Sequence, residues 1–470
     1  MPTLTVIQNG IVKKIEFEGD MPLSKLLGEA DLHVEHPCGG RGSCKKCEVT
    51  VDGKKELSCQ YVAHADATVI LPDNADIVSV TGAEESGQLT ENLCLCLDIG
   101  TTTLALALVS LDERRVIKTL TAKNPQRRFG ADVISRIDYC TKNGVDELQS
   151  CLVERLNAMI SELLGTYGLD RVDKLYAAGN TTMLHLFFGV DCSSIGVYPY
   201  APKFLESRLS DGAALGLCGV SEVISLPNIA AFVGADIVAG LGLLGAPSEG
   251  RYSLLVDLGT NAEIVLFGKD KYICATAAAG PCFEGANISC GMSATEGAVY
   301  EYLPDGSYST IGGGIPEGLC ATGLIDLISE LVRRGEIDES GYMENGEFAI
   351  SDAVSLTPDD VREFQLAKSA VRSAIESLIV RTGISFDDVD RMYVAGGFSA
   401  NLNVANAAYL GLLPAELTDR FTPMNNASLL GAVKYACEGN DLADILNKSE
   451  FVDIGADSLF SELFFENMGF

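Results

Sequence analysis

A short string occurs twice in this 470-residue chain, and the repetition constrains what it can fold into. Leu97-Asp98-Ile99-Gly100-Thr101-Thr102 returns as Val256-Asp257-Leu258-Gly259-Thr260-Asn261. Each copy follows an apolar run and precedes another (residues 104–108 and 264–267), so each reads as the tip of a β-hairpin. A second echo follows downstream. Val172-Asp173-Lys174-Leu175-Tyr176-Ala177-Ala178-Gly179 is matched by Val389-Asp390-Arg391-Met392-Tyr393-Val394-Ala395-Gly396. Helical stretches precede both, at 147–167 and 363–382, the latter with apolar residues at Phe364, Ala367, Val371, Ile375 and Leu378. Two copies of hairpin, helix, strand and glycine turn predict a pseudo-symmetric pair of α/β lobes with a cleft between them.

The duplication leaves the first 80 residues outside it, and they read as a small domain of their own. Strands at 4–8 and 11–17 flank Asn9-Gly10, a favoured hairpin turn. A short helix follows Pro22, and strands are expected near 47–51 and 68–71, the outline of a β-grasp. Residues 81–93 are polar, acidic and linker-like. The expected division is therefore 1–80, a linker at 81–93, a first lobe at 94–247 and a second at 248–470.

Within the small domain, Cys38-Gly39-Gly40-Arg41-Gly42-Ser43-Cys44-Lys45-Lys46-Cys47, with Cys59 further on, supplies four thiolates. Four soft ligands suit a [2Fe-2S] cluster or a zinc ion. The glycines favour the cluster, because a wrapping loop must bend sharply and turn backbone N–H groups toward sulfur. Structural zinc more often takes two separated Cys-x2-Cys pairs, and one such pair is present. Cys94 and Cys96 alternate on a strand and read as core, and the other nine cysteines as small buried hydrophobes. The total, fifteen, is not the even, closely spaced set of a disulfide framework, which fits a reducing cytoplasm.

The duplicated tips carry a phosphate chemistry. Gly100 and Gly259 let turn N–H groups approach phosphate oxygens, while Thr101, Thr102, Thr260 and Asn261 add polar donors. Asp98 and Asp257, at the strand ends, are placed to hold Mg²⁺, usually through water. Facing tips would clamp a triphosphate from both sides, and Ala395-Gly396-Gly397-Phe398-Ser399 follows downstream. Residues 229–247 are apolar except for Asp236, but the four glycines and the central carboxylate read as a packed helix beside a site rather than a membrane span. With 34 Lys and Arg against 65 Asp and Glu, the net charge of −31 argues against nucleic acid or an anionic membrane surface as partner.

The paired tips and the late Gly-Gly turn resemble the acetate and sugar kinase, heat-shock chaperone ATPase and actin superfamily. That resemblance assigns the tips to phosphate binding and Gly396 and Gly397 to the adenosine. Gly234-Ala235-Asp236-Ile237-Val238-Ala239-Gly240 is similar to a sugar-kinase stretch whose aspartate is the general base, which makes Asp236 a catalytic candidate, with a cap or pair inside a helix as the plainer alternative. The combination with an N-terminal ferredoxin-like domain resembles the ATP-dependent reductive activators of corrinoid proteins. Ala178-Gly179-Asn180-Thr181-Thr182-Met183, Ala279-Gly280-Pro281-Cys282-Phe283-Glu284-Gly285-Ala286 and Thr322-Gly323-Leu324-Ile325-Asp326 extend it over nearly the whole chain. The resemblance implies reduction of an inactive Co(II) corrinoid on a partner methyl-carrier protein to Co(I), with a low-potential electron donor and ATP as the drive. Larger members carry a further domain after the cluster domain; here a short linker stands in its place, which bears on the cluster's reach and on the geometry of a homodimer. Two other functions fit the same motifs: a small-molecule kinase gated by a redox-sensing cluster, and an electron carrier with a vestigial ATPase fold.

Overall fold

Leu-Cys-Leu-Cys-Leu-Asp-Ile is apolar nearly throughout, the composition of a strand covered on both faces, and it forms the inner strand Leu93–Ile99 of a six-stranded sheet. The computed structural model describes residues 2–8, 11–30, 32, 34, 47–71, 92–439 and 442–470. Leu93–Ile99 pairs antiparallel with Thr103–Ser110, which pairs with Arg115–Lys123. On its other side Val172–Gly179 and then Val220–Ser225 run parallel to it, with Leu209–Asp211 antiparallel at the edge. A second sheet repeats this plan. Tyr252–Leu258 pairs antiparallel with Ala262–Phe267, and that strand with Tyr272–Ala277. Val389–Ala395 and Phe421–Pro423 run parallel on the other side. Five strands thus stand in the same order and sense in both sheets, as the repeated motifs require. The sixth differs, since Ser449–Phe451 joins the opposite edge of the second sheet.

The long helices lie where the apolar periodicity puts them, at Asp146–Thr166 and Pro358–Thr382. The second begins earlier than expected, because Thr357 and Asp360 form a reciprocal capping box with Pro358 in the first turn. Gly383, at φ +71°, ends it in the left-handed conformation.

Tertiary contacts divide the chain into two units, Met1–Leu226 with Ala436–Glu438, and Pro227–Tyr435 with Gly439–Phe470. Residues 227–247, expected in the first lobe, therefore group with the second. The reason is a close helix crossing. Helix Ala235–Leu243 lies against helix Ala427–Glu438, where a Cβ on Gly431 would fall 2.0 Å from the Ala239 carbonyl oxygen. Lys434 Nζ reaches the Leu243 carbonyl at 3.3 Å from the same helix. Among the described residues no helix is long and apolar enough to cross a membrane.

The N-terminal sheet runs in the order Ile11–Glu16, Thr3–Gln8, Ala67–Ile70, Glu48–Val51 and Lys54–Leu57, with Thr3–Gln8 and Ala67–Ile70 parallel. Helix Leu23–Glu29 contributes Leu23, Leu26 and Leu27 to a core with Leu4, Val6, Val49, Val51 and Val69. Strand Lys54–Leu57 was not anticipated. Its signal is the Asp52-Gly53 turn, where both residues have positive φ, +48° and +81°. The Asn9-Gly10 turn, Cys38 and Cys44 of the cysteine loop, and most of the expected linker lie outside the described residues.

Candidate nucleotide and cluster sites

Asp98, one residue before the end of its strand, stands beside Ala178 of the neighbouring parallel strand, and Asp257 stands beside Ala395 in the same way. The glycine that follows each alanine serves a close backbone approach. A Cβ on Gly179 would lie 2.8 Å from Ile99 O, and one on Gly396, at φ +105°, 2.2 Å from Leu258 O. At the first tip Gly100 N donates to Thr103 O at 3.0 Å, and a Cβ on Gly100 would sit 2.5 Å from that oxygen. The turn can be this tight only with glycine.

The first tip is held from several directions. Asn124 Nδ2 donates to Gly100 O at 2.8 Å, and Asn180 Nδ2 to Thr101 Oγ1 at 3.0 Å. Arg136, from helix Val133–Asn143, donates to Thr101 O. Asn180 also caps helix Thr181–Phe187 through Met183 N, so that helix and the tip share an anchor. Neither Asn124 nor Arg136 was singled out in the sequence.

The second tip is held by acid. Thr260 Oγ1 donates to Glu284 Oε1 at 2.8 Å, which assigns a position to the 280–285 segment that the sequence left without a role. Glu263 lies directly across the ladder from Asp257, where the first hairpin sets Ala105 opposite Asp98. Burial pushes the Glu263 carboxyl well above its ordinary range, and the charges of Asp236 and Asp257 push it further. Asp236, in the first turn of helix Ala235–Leu243, accepts from Ile237 N at 2.9 Å. It therefore stands in one unit with Asp257, Gly259, Thr260, Asn261, Gly396 and Gly397, whereas Asp98, Gly100, Thr101 and Thr102 belong to the other.

Around the Gly-Gly turn, the buried Ser399 hydroxyl is 3.0 Å from both Gly396 O and Met424 O, which fixes the turn to the strand beyond it. Gly397 is exposed, and a Cβ there would meet nothing within 4 Å. Phe398 packs on Phe283 with ring centroids 5.4 Å apart, so segment 281–284 touches both the second tip and this turn.

In the N-terminal sheet, Cys47 Sγ and Cys59 Sγ are 3.2 Å apart although twelve positions separate them in sequence. The Ser58 N to Cys47 O bond of 2.9 Å, beside strand Glu48–Val51, sets this register. Two thiolates sharing one tetrahedral metal at about 2.3 Å would stand about 3.8 Å apart, so the pair fits a shared metal with little movement. Burial, with the neighbouring Cys59, raises the Cys47 thiol to about 11 without such a metal. Cys94 and Cys96 are core, as expected, and of the remaining nine Cys218 is exposed while Cys290 and Cys437 are half-buried.

Duplicated sheets, paired Asp-x-Gly-Thr tips and a Gly-Gly turn define a two-lobed, actin-like ATPase carrying an extra N-terminal sheet domain. Residues 251–470 match the family model described as the C-terminal domain of RACo, the ASKHA domain, and residues 93–246 match the RACo middle region. The chain is 30% identical over 417 residues to the corrinoid activation enzyme RamQ of Eubacterium limosum, covering 80% of this chain and 70% of that protein. It is 27% identical over 398 residues to a Co(II) methylated amine-specific corrinoid protein reductase of Methanosarcina barkeri, covering 75% and 71% of the two chains. A solved reductive activator for corrinoid, iron-sulfur protein shares its fold, with a TM-score of 0.72 at 24% identity over 100% of this chain and 98% of the other. The chain belongs to this family of corrinoid reductive activators.

Proposed function

We propose that this enzyme uses ATP to drive one electron onto the Co(II) corrinoid of a partner methyl-carrier protein, leaving Co(I). The electron comes from a low-potential donor by way of a [2Fe-2S] cluster held by Cys38, Cys44, Cys47 and Cys59. The observation that carries this reading is the convergence of Cys47 and Cys59 to 3.2 Å in a domain joined to a duplicated ATPase. A bound cluster supplies one-electron chemistry, and bound Mg–ATP supplies a hydrolysable phosphate bond. The chain's own residues do the holding. Thr101, Thr102 and Asn261 donate to phosphate, as does Thr260 through its backbone N–H because its hydroxyl is held by Glu284; Gly100 and Gly259 allow backbone approach, and Asp98 and Asp257 take the Mg²⁺ through water. The open face of Gly397, next to Gly396, takes the adenosine. Asp236, near Asp257, orients the attacking water. Free thiols and a cluster of this kind fit an anaerobic cytoplasm.

ATP is needed because reduction of such a corrinoid is unfavourable. Each tenfold shift toward Co(I) requires about 1.4 kcal/mol of differential binding between two states, and nucleotide turnover can supply several such steps. Visible spectroscopy of Co(I) formation, under anaerobic conditions with a low-potential donor and a Co(II) corrinoid protein, tests this. Co(I) should accumulate with ATP and fail to do so with a non-hydrolysable analogue. Equal yields without ATP would leave an electron carrier, and ATP-dependent phosphorylation of a metabolite would leave a kinase.

A further inference from the structure

Cys140 and Cys192 are far apart in sequence and meet within the unit Met1–Leu226. Cys140 shares the buried face of helix Val133–Asn143 with Arg136 and Ile137, and Cys192 immediately precedes the turn Ser193–Ile195. Both cysteines are buried, beside the exposed Asp191. Asp191 Oδ1 accepts from Ser193 N at 3.0 Å and from the Ser193 hydroxyl, and it lies 3.6 Å from Cys140 Sγ. The two thiols hydrogen-bond each other. The chain after Cys192 is pressed onto the helix without slack, since a Cβ on Gly196 would fall 2.7 Å from Ile137 Cγ2.

A thiol attacks as its thiolate, and a neighbouring S–H donor stabilises that form. The hydrogen bond from Cys192 lowers Cys140 to about 7, against burial and the Asp191 charge. That same bond, with burial, pushes Cys192 far above the ordinary thiol range. One member is thus prepared to attack and the other keeps its proton. Buried cysteines elsewhere lack this division: burial raises Cys151 to about 11 and Cys274 to about 12.

We infer that Cys140 and Cys192 form a peroxide-reactive dithiol whose closure to a disulfide disturbs the helix that holds the first tip. The Cys140 sulfur attacks one peroxide oxygen, the O–O bond breaks, the other oxygen leaves as water, and Cys140 becomes a sulfenic acid. The Cys192 sulfur then attacks the Cys140 sulfur, the S–O bond breaks, and a second water leaves. Two thiols lose two electrons and two protons, and one peroxide is reduced to two waters. Disulfide sulfurs stand about 2.05 Å apart, well inside the separation of two thiols in contact. With Gly196 already against Ile137, that approach shifts the helix rather than compressing the contact. Arg136, one turn before Cys140, donates from this helix to Thr101 O.

The test treats anaerobically purified full-length protein with a few equivalents of hydrogen peroxide. The protein is then alkylated in denaturant, digested without reductant and read by mass spectrometry. A peptide pair linked through Cys140 and Cys192 should form at least about tenfold faster than Cys151 or Cys274 is oxidised. Cys192→Ser should leave Cys140 as a sulfenic acid that a cyclic 1,3-dione traps, and Cys140→Ser should leave Cys192 alkylated. Linkage in the wild type should speed hydrogen exchange of the peptide covering 98–103 about threefold, and dithiothreitol should reverse it. The same peroxide should leave that exchange unchanged in Cys140→Ser, which separates linkage from damage elsewhere. Both cysteines recovered alkylated while other thiols are oxidised, or a linked pair with unchanged exchange at 98–103, would overturn the inference.

Discussion

Helix Thr181–Phe187 hangs on a histidine that must stay neutral, which makes the first nucleotide tip acid-labile. His185 is fully buried, with Nδ1 2.7 Å from Thr181 O and Nε2 3.0 Å from Lys203 N. A carbonyl can only accept and a backbone N–H can only donate, so Nδ1 carries the proton and Nε2 the lone pair. A second proton would set Nε2–H against the Lys203 N–H. Burial lowers the ring to about 4, Arg208 adds to this, and the Thr181 carbonyl, Asp191 and Glu206 oppose it. The ring also stacks on Phe204, with centroids 4.2 Å apart.

The sign follows from linkage. The unfolded ring titrates near 6.5 and the folded one near 4, so the folded state binds fewer protons between those values. The contribution is intact above pH 6.5, declines as pH falls, and is lost by pH 4, a total of about 3 kcal/mol. About 2 kcal/mol of this falls between pH 7 and pH 5. Hydrogen exchange of the peptide covering 181–187, corrected for intrinsic rates, should show protection dropping roughly thirtyfold over that interval. His185→Gln, which offers an amide donor and acceptor without titrating, should show a flat profile. Asn180 begins this helix and holds Thr101 Oγ1, so nucleotide affinity should follow the same curve. Parallel pH profiles for wild type and His185→Gln would refute the argument.

Cys59→Ala should abolish the brown colour and the cluster iron of anaerobically purified protein while sparing ATP binding, because the N-terminal sheet has its own core; a colourless, zinc-loaded wild type would refute the cluster. Gly396→Ala sets a Cβ 2.2 Å from Leu258 O at φ +105° and should destabilise its unit by about 3 kcal/mol in denaturant melts. Gly397→Ala, with open space around it, should leave stability within about 0.5 kcal/mol and weaken adenosine binding alone. Glu263 is raised above its unfolded value, so the fold disfavours its charged form and wild-type stability falls as pH rises past about 4.3. Metal-free Glu263→Gln should therefore melt higher than wild type at pH 8, with the advantage vanishing near pH 4 and shrinking in Mg²⁺; equal melting temperatures across that range would refute it.

What could be read from the sequence was local or repeated. The hairpin tips rest on short-range patterning, and the repeat carries the order of five strands from one sheet to the other. Helix Asp146–Thr166 is set by periodicity within one residue of the expectation. The residues that hold the tips were hidden for a physical reason. Arg136 lies 35 positions from Thr101 on a helix with polar residues around it, and in one dimension a buried arginine looks like a solvated one. The grouping of 227–247 depends on Gly431 admitting the Ala239 carbonyl, a contact between segments far apart in the chain. Glu263 was within reach. Aligning the two hairpins by their antiparallel register, rather than by their motif letters, sets an acid in one copy against Ala105 in the other.

That mismatch bears on what a duplicated protein keeps and what it changes. The backbone of the repeat is retained down to the alanine beside each aspartate and the glycine packed on each preceding carbonyl. The electrostatics are not retained, because Arg136 backs one tip while Glu263 and Glu284 attend the other. One backbone plan with different side-chain surroundings is what lets two halves of a repeat take different roles, because charge and hydrogen-bonding groups, not the backbone, decide what each tip can hold.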